Sequence, residues 1–164
     1  TKFVTPTGKS TPYQGVFTPI PGKLMLSHYD EGGQGVAYYD TTPENYTDKT
    51  KTFRKGEAVD ASETTIGNIA SWEWMRYSVD VRKTGIYRAV LHYGTPLPQK
   101  DGFLLLVDGI PSGKFPLVPH KDHGFGIDSE SVLPNLKLTE GKHVLTLIAL
   151  GNSINITFID FKQE

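Results

Sequence analysis

Glu73 stands between two tryptophans in GNIASWEWMRYSVDV (67–81). A carboxyl group in so apolar a setting is the kind that serves a glycoside hydrolase as its acid. Cutting a glycosidic bond takes two carboxyl groups facing one sugar, one protonated and one ionised, roughly 5 to 9.5 Å apart. Asp60, Glu63, Asp80 and Asp108 are further candidates, but 18 acidic residues in 164 make some pair inevitable. Ordinary hydrogen-bonded or surface carboxylates account for them more simply. The stretch HKDHGFG (120–126) sets His120, Asp122 and His123 together as metal ligands or a His–Asp pair would be. Without helical i, i+4 spacing or a distant carboxylate to complete a site, it reads as a polar loop tip. No GxSxG elbow, P-loop or dinucleotide-binding GxGxxG occurs. An independent enzyme would have to work with an acid pair alone.

Aromatic residues offer a different chemistry. Trp72, Trp74, Tyr38, Tyr39 and Phe125 fall at expected strand ends or in loops. A sugar ring presents a flat C–H face that an exposed aromatic ring matches, while nearby amides and acids bond its hydroxyls. Filling the core is the alternative for each of the five.

The elements that would hold these residues are strands. Seventeen glycines and 11 prolines punctuate short runs of Val, Ile, Leu, Tyr and Phe, and no long window sustains a 3.6-residue period. From Glu73 on, Met75, Tyr77, Val79 and Val81 alternate with Trp74, Arg76, Ser78 and Asp80, which predicts a strand with one packed face and one polar face headed by a tryptophan. KTG (83–85) turns into IYRAVLHY (86–93), and DGFLLLVDG (101–109) is apolar enough for both faces to be covered. LPNLKL and HVLTLIAL bracket TEGK (139–142), a predicted hairpin turn, and INITFIDF (154–161) is a last strand. About nine strands at this spacing predict an all-β sandwich or jelly roll.

Composition narrows the partners. Seventeen basic against 18 acidic residues leave a formal charge of -1, with no broad basic surface for nucleic acid. No apolar run is long enough for a membrane span, and the start TKFVTPTGKS has no apolar signal core, so any targeting peptide lies outside this sequence and the domain reads as soluble. The absence of cysteine removes disulfides and thiolate sites but leaves the compartment open. Residues 1–19, rich in Thr, Pro and Gly, read as a linker or a wrapped N-terminal arm, and 20–164 as one domain.

Several stretches together carry a resemblance: PYQG (12–15), IPG (20–22), YDEGGQGVAYYDTTPEN (29–45), Arg54, AVD (58–60), IG (66–67), EWMRYSVDV (73–81), GIYRAVL (85–91), EGKHVLTL (140–147) and INITFIDF (154–161). In this order they resemble a divergent family 6 carbohydrate-binding module across residues 12–161. The resemblance implies a β-sandwich jelly roll without catalysis, carried by a secreted, bacterial glycoside hydrolase at an extracellular, cell-surface or periplasmic location. Its partners would be a β-linked polysaccharide or oligosaccharide and the catalytic domain of the same chain, which it holds near substrate by effective concentration.

Site residues transfer from the family unevenly. For the loop site, the resemblance places the asparagine before the last strand at Asn155 and an aromatic after glycine at Phe125. The other ring, expected after the glycine of IG, is Asn68 here, while Trp72 stands where the family keeps a small residue. The site is therefore expected to be rebuilt around Trp72 or lost. A second site on a concave sheet face would use Trp74, with an acid at Val107 or Asp108. The family's structural calcium would fall on Met25, Ser27 and Thr157, a thioether and two hydroxyls, so no metal or other cofactor is expected. Glu31, Asp160 or backbone carbonyls would have to supply any alternative. The rival to glycan binding is a module that has lost it and serves as a structural or protein-contact domain of a larger enzyme.

Overall fold

The alternation read at residues 74–81 defines the centre of the molecule. In the computed structural model, which describes all residues except 1, 2, 43, 44, 46–51, 120–123 and 127, Met75, Tyr77, Val79 and Val81 are all at most 3% exposed. They belong to strand β5 (Trp74–Val81), one of eleven strands among the described residues. The others are β1 (Thr18–Ile20), β2 (Gly22–Met25), β3 (Tyr38–Tyr39), β4 (Ile66–Ile69), β6 (Gly85–Gly94), β7 (Gln99–Val107), β8 (Ile110–Leu117), β9 (Ser129–Leu138), β10 (Gly141–Ala149) and β11 (Ile154–Gln163). About nine were expected; β1 and β3, of three and two residues, are too short to show a period.

Two sheets face each other. The first runs β1-β5-β10-β7-β8 with β3 also on β5, and the second runs β2-β11-β6-β9 with β4 also on β11. Between them lie Tyr77, Phe103, Leu105, Phe115 and Leu147 from the first sheet and Tyr87, Leu91, Ile156, Ile159 and Phe161 from the second. Each is at most 1% exposed. This is a β-sandwich of jelly-roll type, with its apolar core shared by two inner faces. No helix among the described residues is long and apolar enough to cross a membrane.

TEGK (139–142) is not a hairpin turn. β9 pairs with β6, whereas β10 pairs with β5 and β7, so this segment carries the chain from one sheet to the other. The tight hairpin lies at Asp108-Gly109, where φ is +49° and +80° and Val107 pairs with Ile110. Two consecutive positive φ values are what a two-residue turn between twisted strands requires. Sequence alone cannot separate these cases, because a glycine-containing corner and a glycine-containing hairpin look alike without pairing partners.

The N-terminal residues run along the outer side of the first sheet. Trp74 Nε1 donates to the Val4 carbonyl at 2.8 Å, Arg76 Nη1 to the Gly8 carbonyl at 3.0 Å and Ser10 Oγ to Asp30 Oδ2 at 2.7 Å. β1 then pairs in parallel with Val79–Val81 of β5. Arg54 ties the segment 54–57 to the chain ahead of β3. Its guanidinium donates to the Tyr29 and Asp30 carbonyls and to Glu57, and lies over the Tyr29 ring at 3.4 Å. With its side chain 4% exposed, it organises the segment as a buried, fully engaged cation.

Candidate functional site

A cleft of about 540 Å³ lies over the outer faces of β2, β6 and β11. The irregularity of β11 shapes it. Register shifts between Ile156 and Phe158 where β11 pairs with β6, which leaves Thr157 as an extra residue. Ile154, Ile156 and Ile159 remain buried, while Asn155 and Phe158 line the cleft. Opposite Asn155 is Gly94, which has no side chain to fill the space beside the amide.

The rings in the cleft are not equivalent. Phe158 stacks on His92 at 4.0 Å between centroids, and Lys23 Nζ lies 4.0 Å from its centroid. His92 in turn meets Asp128 at 3.0 Å through Nδ1 and Glu130 at 3.5 Å through Nε2. This patch is already occupied by its own side chains. Phe125, 46% exposed, is the ring with surface to offer. Thr64 and Thr65 add hydroxyls to the same cleft, and Met25 adds a polarisable floor.

The five binding residues expected from the sequence therefore separate. Phe125 and Asn155 line one cleft. Trp72, Asn68 and Trp74 do not line it. Trp72 is half-buried with φ +73°, its ring 6.4 Å from that of Phe3, and its backbone N–H donates to Ala149 O at 2.7 Å. Asn68 is exposed on β4. Trp74 corrects the expectation of an outward ring. It is 0% exposed, held beneath Val4 and stacked against Tyr39 at 6.5 Å, because the N-terminal arm covers the face that alternation alone would leave open.

Glu73 is structural in its bonding. It is 4% exposed; Oε1 accepts from Thr41 N at 3.2 Å and Thr41 Oγ1 at 2.7 Å, and Oε2 accepts from Ala70 N at 3.1 Å. Burial raises its pKa, and these bonds oppose the rise. Asp40, nearby, is pushed up to about 7 by burial and then by the Glu73 charge. The stretch with His120, Asp122 and His123 lies outside the described residues.

The residues at the calcium positions do not fit that ion. Ser27 is fully buried and donates to Glu63 O at 2.8 Å, Thr157 Oγ1 donates to His92 O at 3.3 Å, and Met25 lines the cleft with a soft sulfur. The alternative donors are engaged elsewhere: Glu31 accepts from Gln14 N at 3.1 Å, and Asp160 lies 3.7 Å from Lys162 Nζ. Among the described residues no group of three His, Cys, Asp or Glu side chains could hold a metal.

No protein-family model matches the sequence, and no curated protein matches it. Solved structures do. A family 6 module from Clostridium stercorarium in complex with cellobiose superposes with TM-score 0.63 at 12% identity, covering 92% of this chain and 99% of that one. A Clostridium cellulolyticum family 6 carbohydrate-binding module in complex with xylose gives 0.61 at 14% identity over 89% of this chain and 100% of that one. A β-1,3-glucan binding family 6 module from Bacillus halodurans gives 0.61 at 14% identity, covering 90% and 99%. The fold is thus that of the family 6 carbohydrate-binding modules.

Proposed function

We propose that residues 20–164 form a non-catalytic carbohydrate-binding module that holds a secreted glycoside hydrolase on a β-linked polysaccharide. The carrying observation is that Phe125, the exposed ring, and Asn155, opposite a side-chain-free glycine, line one cleft on this fold. An aromatic face for the sugar's C–H surface, a carboxamide for its hydroxyls and the flanking Thr64 and Thr65 make up the chemistry of a small glycan site. The solved structures in complex with cellobiose and xylose, and the β-1,3-glucan binder, support a ligand of this class. The catalytic partner belongs to the same proposal. Affinity of a few such contacts falls in the micromolar to millimolar range, about 4 to 8 kcal/mol.

Affinity electrophoresis in gels containing β-glucans or xylan tests this. The protein is expected to be retarded and the Phe125→Ala and Asn155→Ala variants to run freely with unchanged thermal unfolding. Unretarded wild type across the panel would instead support a structural or protein-contact domain. That second reading has its own observation, since Trp72 and Trp74 are taken up by Phe3 and Val4 of the arm.

A further inference from the structure

The edge of the first sheet at β3 carries another cleft, of about 500 Å³, lined by Gln34, Ala58 and residues 39–42. It shares no lining residue with the Phe125–Asn155 cleft. Its backbone is fixed by a reciprocal pair: Gln34 Nε2 donates to Asp40 O at 2.8 Å, and Asp40 N donates to Gln34 Oε1 at 3.1 Å. Thr41 is tied through its hydroxyl to Glu73 at 2.7 Å. Tyr39, half-buried at the cleft wall, is held near-parallel to Trp74, with 23° between the planes. A ring so supported offers a preset surface.

Asp40 is the second element. It is 7% exposed, and its Oδ1 accepts from both N and Oγ1 of Thr42 at 2.8 Å. Oδ2 receives no hydrogen bond from a described residue and is not sealed from solvent. A mostly buried carboxyl group with one oxygen tied and the other open to a cleft can accept from a ligand.

We propose that this cleft is a second saccharide-binding site, in which Tyr39 receives the C–H face of a neutral sugar and Asp40 Oδ2 accepts one of its hydroxyls. This rests on the reading of the domain as carbohydrate-binding. A neutral ligand follows from the charge. Glu73 and Asp60 are the ionisable groups acting on Asp40, and no cation lines the cleft among the described residues, so sulfated or uronic glycans would meet repulsion. Because a donating hydroxyl favours the ionised carboxylate, and Asp40 titrates at about 7, affinity at this site rises between pH 6 and pH 8.

The test is a 1H–15N NMR titration with cellotriose, xylotriose and β-1,3-glucotriose, on the wild type and on the Phe125→Ala/Asn155→Ala double variant. Shifts at residues 34–42 are expected in both proteins and are expected to disappear on Tyr39→Ala. Asp40→Asn, near-isosteric and so safe for the fold, should lower affinity at this site about tenfold at pH 8 and remove its pH dependence. Shifts confined to the Phe125–Asn155 cleft, or unchanged affinity in Asp40→Asn, overturn this proposal and leave the first site standing. No shift anywhere in the wild type overturns both.

Discussion

The two outer faces of the sandwich differ in what covers them. The first sheet presents Trp74, Arg76 and Ser78 outward, yet Trp74 is 0% and Ser78 5% exposed, because Val4, Gly8 and Asp30 lie across them. Among the described residues no such strap crosses β2, β6 and β11, and there Asn155, Phe158 and Lys23 line an open cleft. The difference teaches that an alternating strand defines which side chains leave the core, and that a distant segment defines whether they reach water. Tryptophan on the strapped face works as packing, and phenylalanine on the open one remains available for a ligand.

The largest effect that would test this contrast comes from Trp74→Ala. Removing a fully buried indole should cost about 3–5 kcal/mol in urea denaturation, with glycan retention preserved under conditions where the variant is folded. Lost retention with full stability would mean that Trp74 is a ligand platform and the strap opens.

A pH series probes the buried carboxyl groups on the strapped side. Asp40 binds its proton more tightly folded, at about 7, than unfolded, near the ordinary 3.8, so its contribution falls as pH rises between those values. At about 1.4 kcal/mol per pKa unit, stability should drop by on the order of 2 kcal/mol from pH 5 to pH 8. Asp40→Asn should flatten that slope in thermal unfolding.

Deleting residues 1–10 removes the bonds to Trp74, Arg76 and Asp30 and should cost about 2 kcal/mol. Tryptophan emission should shift to the red as Trp74 meets water. An unchanged emission maximum would show that something other than the arm shields the ring.

On the open face, Phe125→Ala should reduce glycan affinity by about 1–2 kcal/mol while changing stability by less than about 0.5 kcal/mol. The smallest effect belongs to Trp72→Ala, for which less than twofold change in affinity is expected, because Trp72 contacts Phe3 and does not line the cleft. A large loss there would mean that the glycan also reaches the arm.

Much of the sandwich was legible. The inward set Met75, Tyr77, Val79 and Val81 follows directly from a two-residue period, and the last strand is where its Ile and Phe content places it. Family resemblance pointed to Phe125 and Asn155, which line one cleft, and their role in binding is part of the proposal. The bulge at Thr157, the Phe158–His92–Lys23 stack and the Thr64–Thr65 wall were not, since each depends on which strands are neighbours. Tyr39 and Asp40 left a weak signal in YYDTT, two adjacent rings followed by an acid and hydroxyls. Nothing in that run shows that Gln34 pins it or that Trp74 backs the second ring.

What the sequence by itself determined is the set of strands and the face each turns to the core, because the period of a strand and the aversion of apolar side chains to water are local properties. Only the tertiary structure decided which polar-facing residues are covered. The Val4–Trp74 bond spans 70 residues and the His92–Phe158 stack spans 66 (158 minus 92), and at such separations contact is set by sheet topology, to which a local pattern is blind.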